Sequence, residues 1–143
     1  MPRPPPLGAV RMANISDAPQ ILDLLTESIS QNFRVSCTYD ITRLIENSVL
    51  CICQLDENLK IVGFLAARDY PILPAVHPCA WEEYLWAKYK VMEMNARNTL
   101  FIHLLCWHPR FGRELIDNML KSIFMHDAYL TYIAMLKTTL KYP

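Results

Sequence analysis

Residues Asn98 to Phe124 read NTLFIHLLCWHPRFGRELIDNMLKSIF. Thr99 to Trp107 is apolar on both faces apart from His103, the pattern of a strand held in the middle of a sheet. Leu115, Ile116, Met119, Leu120, Ile123 and Phe124 recur at helical spacing and predict an amphipathic helix. Only His108, Pro109, Arg110, Phe111, Gly112 and Arg113 separate strand from helix. Leu130 to Leu136 reads as a further strand, so the whole segment predicts a strand-helix-strand crossover.

Upstream, residues 1–8 form a proline-rich leader expected to be disordered or extended. Ala9 to Asn14 reads as a first strand. Ser16 and Asp17 supply a cap, Pro19 suits a first turn, and Ile21, Leu22, Leu25 and Ile29 predict one helix through about Phe33. A second helix is expected over Tyr39 to Asn47, with Ile41, Leu44 and Ile45 on one side. Val49 to Leu55 and Lys60 to Asp69 read as a hairpin turning at Asp56-Glu57-Asn58. A proline-punctuated stretch then leads into a helix near Trp81 to Met92. The order β-α-α-β-β, inserted helix, β-α-β predicts an α/β domain over 9–143: a mixed, mainly antiparallel sheet with helices on both faces.

The bulk properties narrow the function. A length of 143 residues suits one domain, and 52% hydrophobic residues can fill its core. Formal net charge is zero, which leaves no electrostatic footprint for nucleic acid or an anionic membrane surface. No apolar run approaches the roughly 18 residues that span a bilayer, and the leader has no apolar signal core. Cys37, Cys51, Cys53, Cys79 and Cys106 form no paired framework, so reduced thiols in the cytoplasm are expected. With only Gly8, Gly63 and Gly112, the chain is poor in the residue that phosphate-cradling loops use.

The element order resembles the first two thirds of the Gcn5-related N-acetyltransferase fold. VRMANISDAPQILDLL is similar to its first strand and helix, and ENLKIVGFLAARDYP to its third strand. A closer resemblance, from Val10 onward, is to the N-terminal domain family of cilia- and flagella-associated protein 61. It is carried by IENSVLCICQLDENLKIVGFLAARDYP, the insertion around Trp81 and the segment Asn98–Phe124, with DYP and NTLFIHL its most specific parts. That resemblance implies a non-enzymatic scaffold of the motile-cilium axoneme, in the calmodulin- and spoke-associated complex at the radial-spoke base. Its localisation would be the cytoplasm, cytoskeleton and cilium or flagellum, and its partners axonemal proteins. The acetyltransferase fold also implies another helix and two strands beyond the fifth strand, so the domain is expected to be an incomplete version of it.

The alternative is an acyl-CoA-dependent N-acetyltransferase with a reduced cofactor loop. Enzymes of that fold hold the cofactor pyrophosphate on backbone amides of an arginine- and glycine-rich loop at a helix N-terminus. The counterpart, His108 to Arg113, offers one glycine, and Pro109 removes an amide. The nearest general bases would be Glu114 and His103. Glu114 is also what a helix start favours, and His103, sharing a strand face with Phe101 and Leu105, reads as a hydrogen-bonded core histidine. No catalytic residue and no cofactor is therefore assigned.

Cys51-x-Cys53 and Cys106-x-His108 each place two potential zinc ligands on one strand face, though not at knuckle spacing; buried free thiols are the simpler reading, and no metal is assigned. On the inserted helix, Trp81, Tyr84, Leu85, Lys88, Val91 and Met92 fall on one side, and Trp86 and Tyr89 on the other. Trp86 and Tyr89 are one candidate partner surface, the equal alternative being that the proline-rich segment buries that face as well. The last strand, with Leu130, Tyr132 and Ala134, is a second: its apolar edge is expected to pair with a partner, a second copy or downstream sequence.

Overall fold

The structure, a computed structural model, describes residues 5–73 and 76–135. Five strands form one sheet in the order β1-β2-β3-β4-β5: Leu7–Met12, Leu50–Asp56, Ile61–Arg68, Thr99–Trp107 and Tyr132–Ala134. The first three pairings are antiparallel and β4 with β5 is parallel. The helices are α1 (Ala18–Leu22), α2 (Glu27–Phe33), α3 (Thr38–Asn47), α4 (Trp81–Tyr89) and α5 (Arg113–His126). The mixed sheet with helices on both faces is the predicted architecture.

Strand alternation divides the core. Cys51, Cys53, Phe64, Ala66, Leu104 and Cys106 pack with Ile21 of α1 and Ile41 and Leu44 of α3. Leu50, Ile52, Leu65, Ala67 and Leu105 pack on the other side with Leu115, Met119 and Ile123 of α5. Beside the first cluster, Trp81 and Leu85 of α4 close on Phe101 of β4, the two rings meeting edge-to-face at 4.8 Å.

The helix expected from Ser16 to Phe33 is instead two. Thr26 Oγ1 accepts from the Ile29 amide at 3.2 Å and starts α2 afresh, while Leu24 and Leu25 donate three residues back to Ile21 and Leu22. The apolar spacing persists across this break because Leu24 and the flanking segments still face the sheet. The first turn begins at Asn14 rather than Ser16: the Asn14 amide donates to Asp17 Oδ2 at 2.7 Å, and Arg11 grips the same carboxylate with two bonds of 2.7 and 2.9 Å. The sheet also starts earlier than read: Leu7 and Gly8, assigned to the leader, belong to β1. Residues 1–4 lie outside the described residues.

Helix α4 stops at Tyr89, with Lys90 in the left-handed region (φ 58°) as its cap, so Val91 and Met92 lie beyond it. In β4, Ala66 pairs with Leu104 and Ala67 with Ile102, leaving His103 as the extra residue of a bulge. The bulge breaks the simple alternation. Leu105 joins the α5 cluster, whereas His103 meets Tyr70, which packs with Phe101, so His103 does not share a face with Leu105.

Candidate functional site

The turn between β4 and α5 is knitted to itself. The His108 amide donates to the Val62 carbonyl at 2.8 Å, the Arg110 amide to His108 Nδ1 at 3.1 Å and the Phe111 amide to the His108 carbonyl at 3.0 Å. Pro109 has no amide, and Phe111 is buried in the α5 cluster. Of the residues ahead of α5, only Gly112 keeps an amide outside these bonds, followed by those of the helix's first turn. Gly112 has no positive φ and open space around a would-be Cβ, so neither backbone strain nor crowding requires glycine there. At the other end of β4 from this turn, β5 pairs only with Thr99, Leu100 and Phe101, and no other strand flanks that side of Ile102–Trp107 among the described residues.

His103 is 5% exposed, and its Nε2 lies 2.7 Å from the Tyr70 carbonyl. A carbonyl only accepts, so Nε2 carries the proton, and burial lowers the ring's pKa. His103 is thus a satisfied, neutral histidine at neutral pH. Glu114 sits in the first turn of α5, on the surface. Cys53 and Cys106 both face the α1–α3 side, on strands separated by β3, with Phe64 paired to each. Burial pushes both thiols up to about 12. Cys51, Cys53, Cys106 and His108 do not gather into a ligand set: among the described residues no three histidine, cysteine or acidic side chains are placed to hold a metal ion.

The outer face of α4 stands clear of the core. Trp86 is 48% and Tyr89 57% exposed, and Lys90 Nζ lies 5.4 Å from the Trp86 ring and Lys88 Nζ 5.5 Å from the Tyr89 ring. The two aromatics thus carry a basic fringe. The other surface is narrower than expected. Strand β5 spans three half-buried residues, Tyr132 to Ala134. Leu130 precedes it and is buried in the α5 cluster, because its amide turns back to Asp127; it does not belong to an exposed edge. Leu136 lies outside the described residues. Asn98 fixes the edge: its carbonyl accepts from the Thr131 and Tyr132 amides, and its side chain ties the exit of α4 through Glu93 and Asn95.

Sequence reading missed one feature. Arg34, Arg43 and Arg68, 34 residues apart from first to last, come together around a cavity of about 220 Å³ beside Tyr70 and His103. Long-range register creates it, so no local motif announces it.

This sheet, with a bulge on its fourth strand and a crossover helix to a parallel fifth, is the acetyltransferase-like fold. Among solved structures, a mutant BH1408 protein from Bacillus halodurans superposes with a TM-score of 0.60 at 16% identity, covering 90% of this chain and 82% of that one. An aminoglycoside 6'-N-acetyltransferase from Acinetobacter baumannii gives 0.55 at 12% identity, covering 92% and 80%. A ribosomal-protein-alanine N-acetyltransferase from Brucella melitensis gives 0.52 at 13%, covering 92% and 81%. At these identities the likeness concerns the fold alone. No curated protein sequence matches. Residues 9–142 match the family model of the N-terminal domain of cilia- and flagella-associated protein 61, and the chain belongs to that family. Membership ties it to cilia and flagella. No helix among the described residues is long and apolar enough to cross a membrane.

Proposed function

We propose that the domain is a non-enzymatic scaffold of the axoneme, acting at the radial-spoke base within the calmodulin- and spoke-associated complex. The observation that carries the non-enzymatic part is the state of the β4–α5 turn. A pyrophosphate cradle needs several free, convergent amides. Here those of His108, Arg110 and Phe111 are committed within the protein, and Pro109 has none. The Nε2–H of His103 is likewise committed to the Tyr70 carbonyl, so that nitrogen takes no proton from a substrate.

The scaffold works by surface complementarity. Trp86 and Tyr89 offer large, rigid contact area with Lys88 and Lys90 alongside, a combination suited to a partner with apolar and acidic side chains. Tyr132 and Ala134 offer a short parallel edge for strand addition. Trp86→Ala combined with Tyr89→Ala is expected to leave the unfolding midpoint nearly unchanged while reducing recovery of axonemal proteins with the tagged chain in ciliated cells. Equal recovery by the folded double variant would remove α4 from the interface. Calorimetry with acetyl-CoA into the millimolar range tests the other half: micromolar binding would restore the N-acetyltransferase reading.

A further inference from the structure

We propose that the cavity between α2–α3 and the adjoining ends of β3 and β4 receives an acidic side chain of a protein partner, its carboxylate held by Arg34, Arg43 and Arg68. Arg34, Arg43 and Arg68 line one cavity of about 220 Å³ together with one acidic residue, Asp40, which leaves a formal surplus of two positive charges; the Arg43 guanidinium rests 5.8 Å from the centroid of the exposed Tyr39 ring. Asp40 makes no ion pair with them: its Oδ2 accepts from the Ser36 amide at 3.0 Å, and that bond keeps the carboxylate ionised with its pKa below the ordinary range. Among the described residues the ion pairs are Arg11–Asp17 and Arg113–Asp117, so none of the three cavity arginines is paired.

Arg68 shows that something is owed. Its Nε is shut off from solvent and has no hydrogen-bond partner. A buried guanidinium N–H without an acceptor is costly, and a carboxylate that draws Arg68 a short way into the cavity would uncover Nε and recover that cost. The group is already oriented for it: Arg68 Nη1 donates to the Tyr70 hydroxyl, the guanidinium lies 5.5 Å from the Tyr70 ring centroid, and His103 pins the Tyr70 backbone. A planar fork held in place is the geometry that recognises a carboxylate at small entropic cost.

The walls decide what carries the carboxylate. Phe33, Leu44 and Ile72 flank the arginines, so the occupant brings apolar groups beside its charge, as a glutamate between apolar residues does. Trp86 and Tyr89 are not among the lining residues, so this site stands whether or not α4 is an interface.

The test uses the whole chain and the Nε–Hε resonance of Arg68. The probes are a capped peptide with one glutamate between leucines, the same peptide with glutamine, and inorganic phosphate. The glutamate peptide is expected to shift the Arg68 resonance, with the glutamine peptide weaker by about tenfold or more, the worth of one charge-assisted hydrogen bond. Arg43→Gln, on an exposed side chain that leaves the fold intact, is expected to weaken the glutamate peptide by a similar factor. The double α4 variant is expected to leave it unchanged. Equal binding of the two peptides, no shift into the millimolar range, tighter binding of phosphate, or an undiminished response in Arg43→Gln would each overturn the assignment.

Discussion

Gly63 is where sheet and helix touch most closely. A Cβ there would stand 2.8 Å from Leu115 Cδ2, 3.2 Å from Gln54 Cβ and 3.3 Å from Met119 Cε. Leu115 and Met119 are fully buried, so the ends of their side chains can give way only by displacing core neighbours. Gly63→Ala is therefore expected to destabilise the domain by about 1–3 kcal/mol, read as a lower urea midpoint at unchanged slope. Asp17 makes a different prediction. The hydrogen bonds from Arg11, and then from the Asn14 amide, hold its folded pKa below the unfolded value of about 3.9. Its stabilisation is thus complete above about pH 4 and fades as pH falls through the lower, folded value. Asp17→Asn should be less stable than the natural chain at neutral pH, and urea midpoints of the two should converge on acidification. Convergence on raising the pH instead would show the sign to be wrong. The thiols are sorted by depth: Cys37 and Cys79 are exposed, and Cys51, Cys53 and Cys106 buried. A thiol-specific colorimetric reagent is expected to titrate the two exposed groups quickly and the other three only in denaturant.

Elements with an unbroken period were legible, and those set by partners far along the chain were not. Thr99–Trp107 is found with the predicted bounds because its apolar run has one interpretation at that length. Helix α5 extends two residues beyond its apolar stripe at either end, where only backbone bonds decide. The division between α1 and α2 had a readable signal in Thr26-Glu27, an N-cap followed by an acidic first turn, masked by apolar spacing that continues through it. The early start of β1 had none. It depends on Gln54, whose Nε2 donates to the Gly8 carbonyl at 2.9 Å, and on Gly8 lying so close to Asp56 that a Cβ would come within 2.3 Å of its carbonyl oxygen. Of the candidate surfaces, Trp86 and Tyr89 are exposed, which helical phase allowed but did not decide, while Leu130 is buried because a turn, not a strand, holds it. The β2–β3 hairpin turned where expected, but at a strained residue: Leu59 has φ 65° and is 77% exposed. Leu59→Gly removes a left-handed cost of about 1–2 kcal/mol against a smaller gain in unfolded-chain entropy, and is expected to raise the unfolding midpoint. An unchanged or lower midpoint would show that the leucine is not strained there.

For the whole molecule, the consequential feature is how unequally the sheet is connected. Strands β1 to β4 lie side by side in chain order, yet β1 and β2 are separated by three helices, and β4 reaches β5 only across α5. The β2–β3 hairpin is the one pairing closed by a tight turn, so its loop-closure entropy is the smallest and it is the natural nucleus. Strand β5 stands at the other extreme: three residue pairs, a parallel geometry, and a contact that closes only after the crossover is in place. Such an edge opens as a sub-global unit while the remaining four strands stay folded. A partner that adds a strand there would bind only the closed form and stabilise it by mass action. Assembly and the last step of folding would then be one equilibrium, with the occupancy of the edge set by partner concentration.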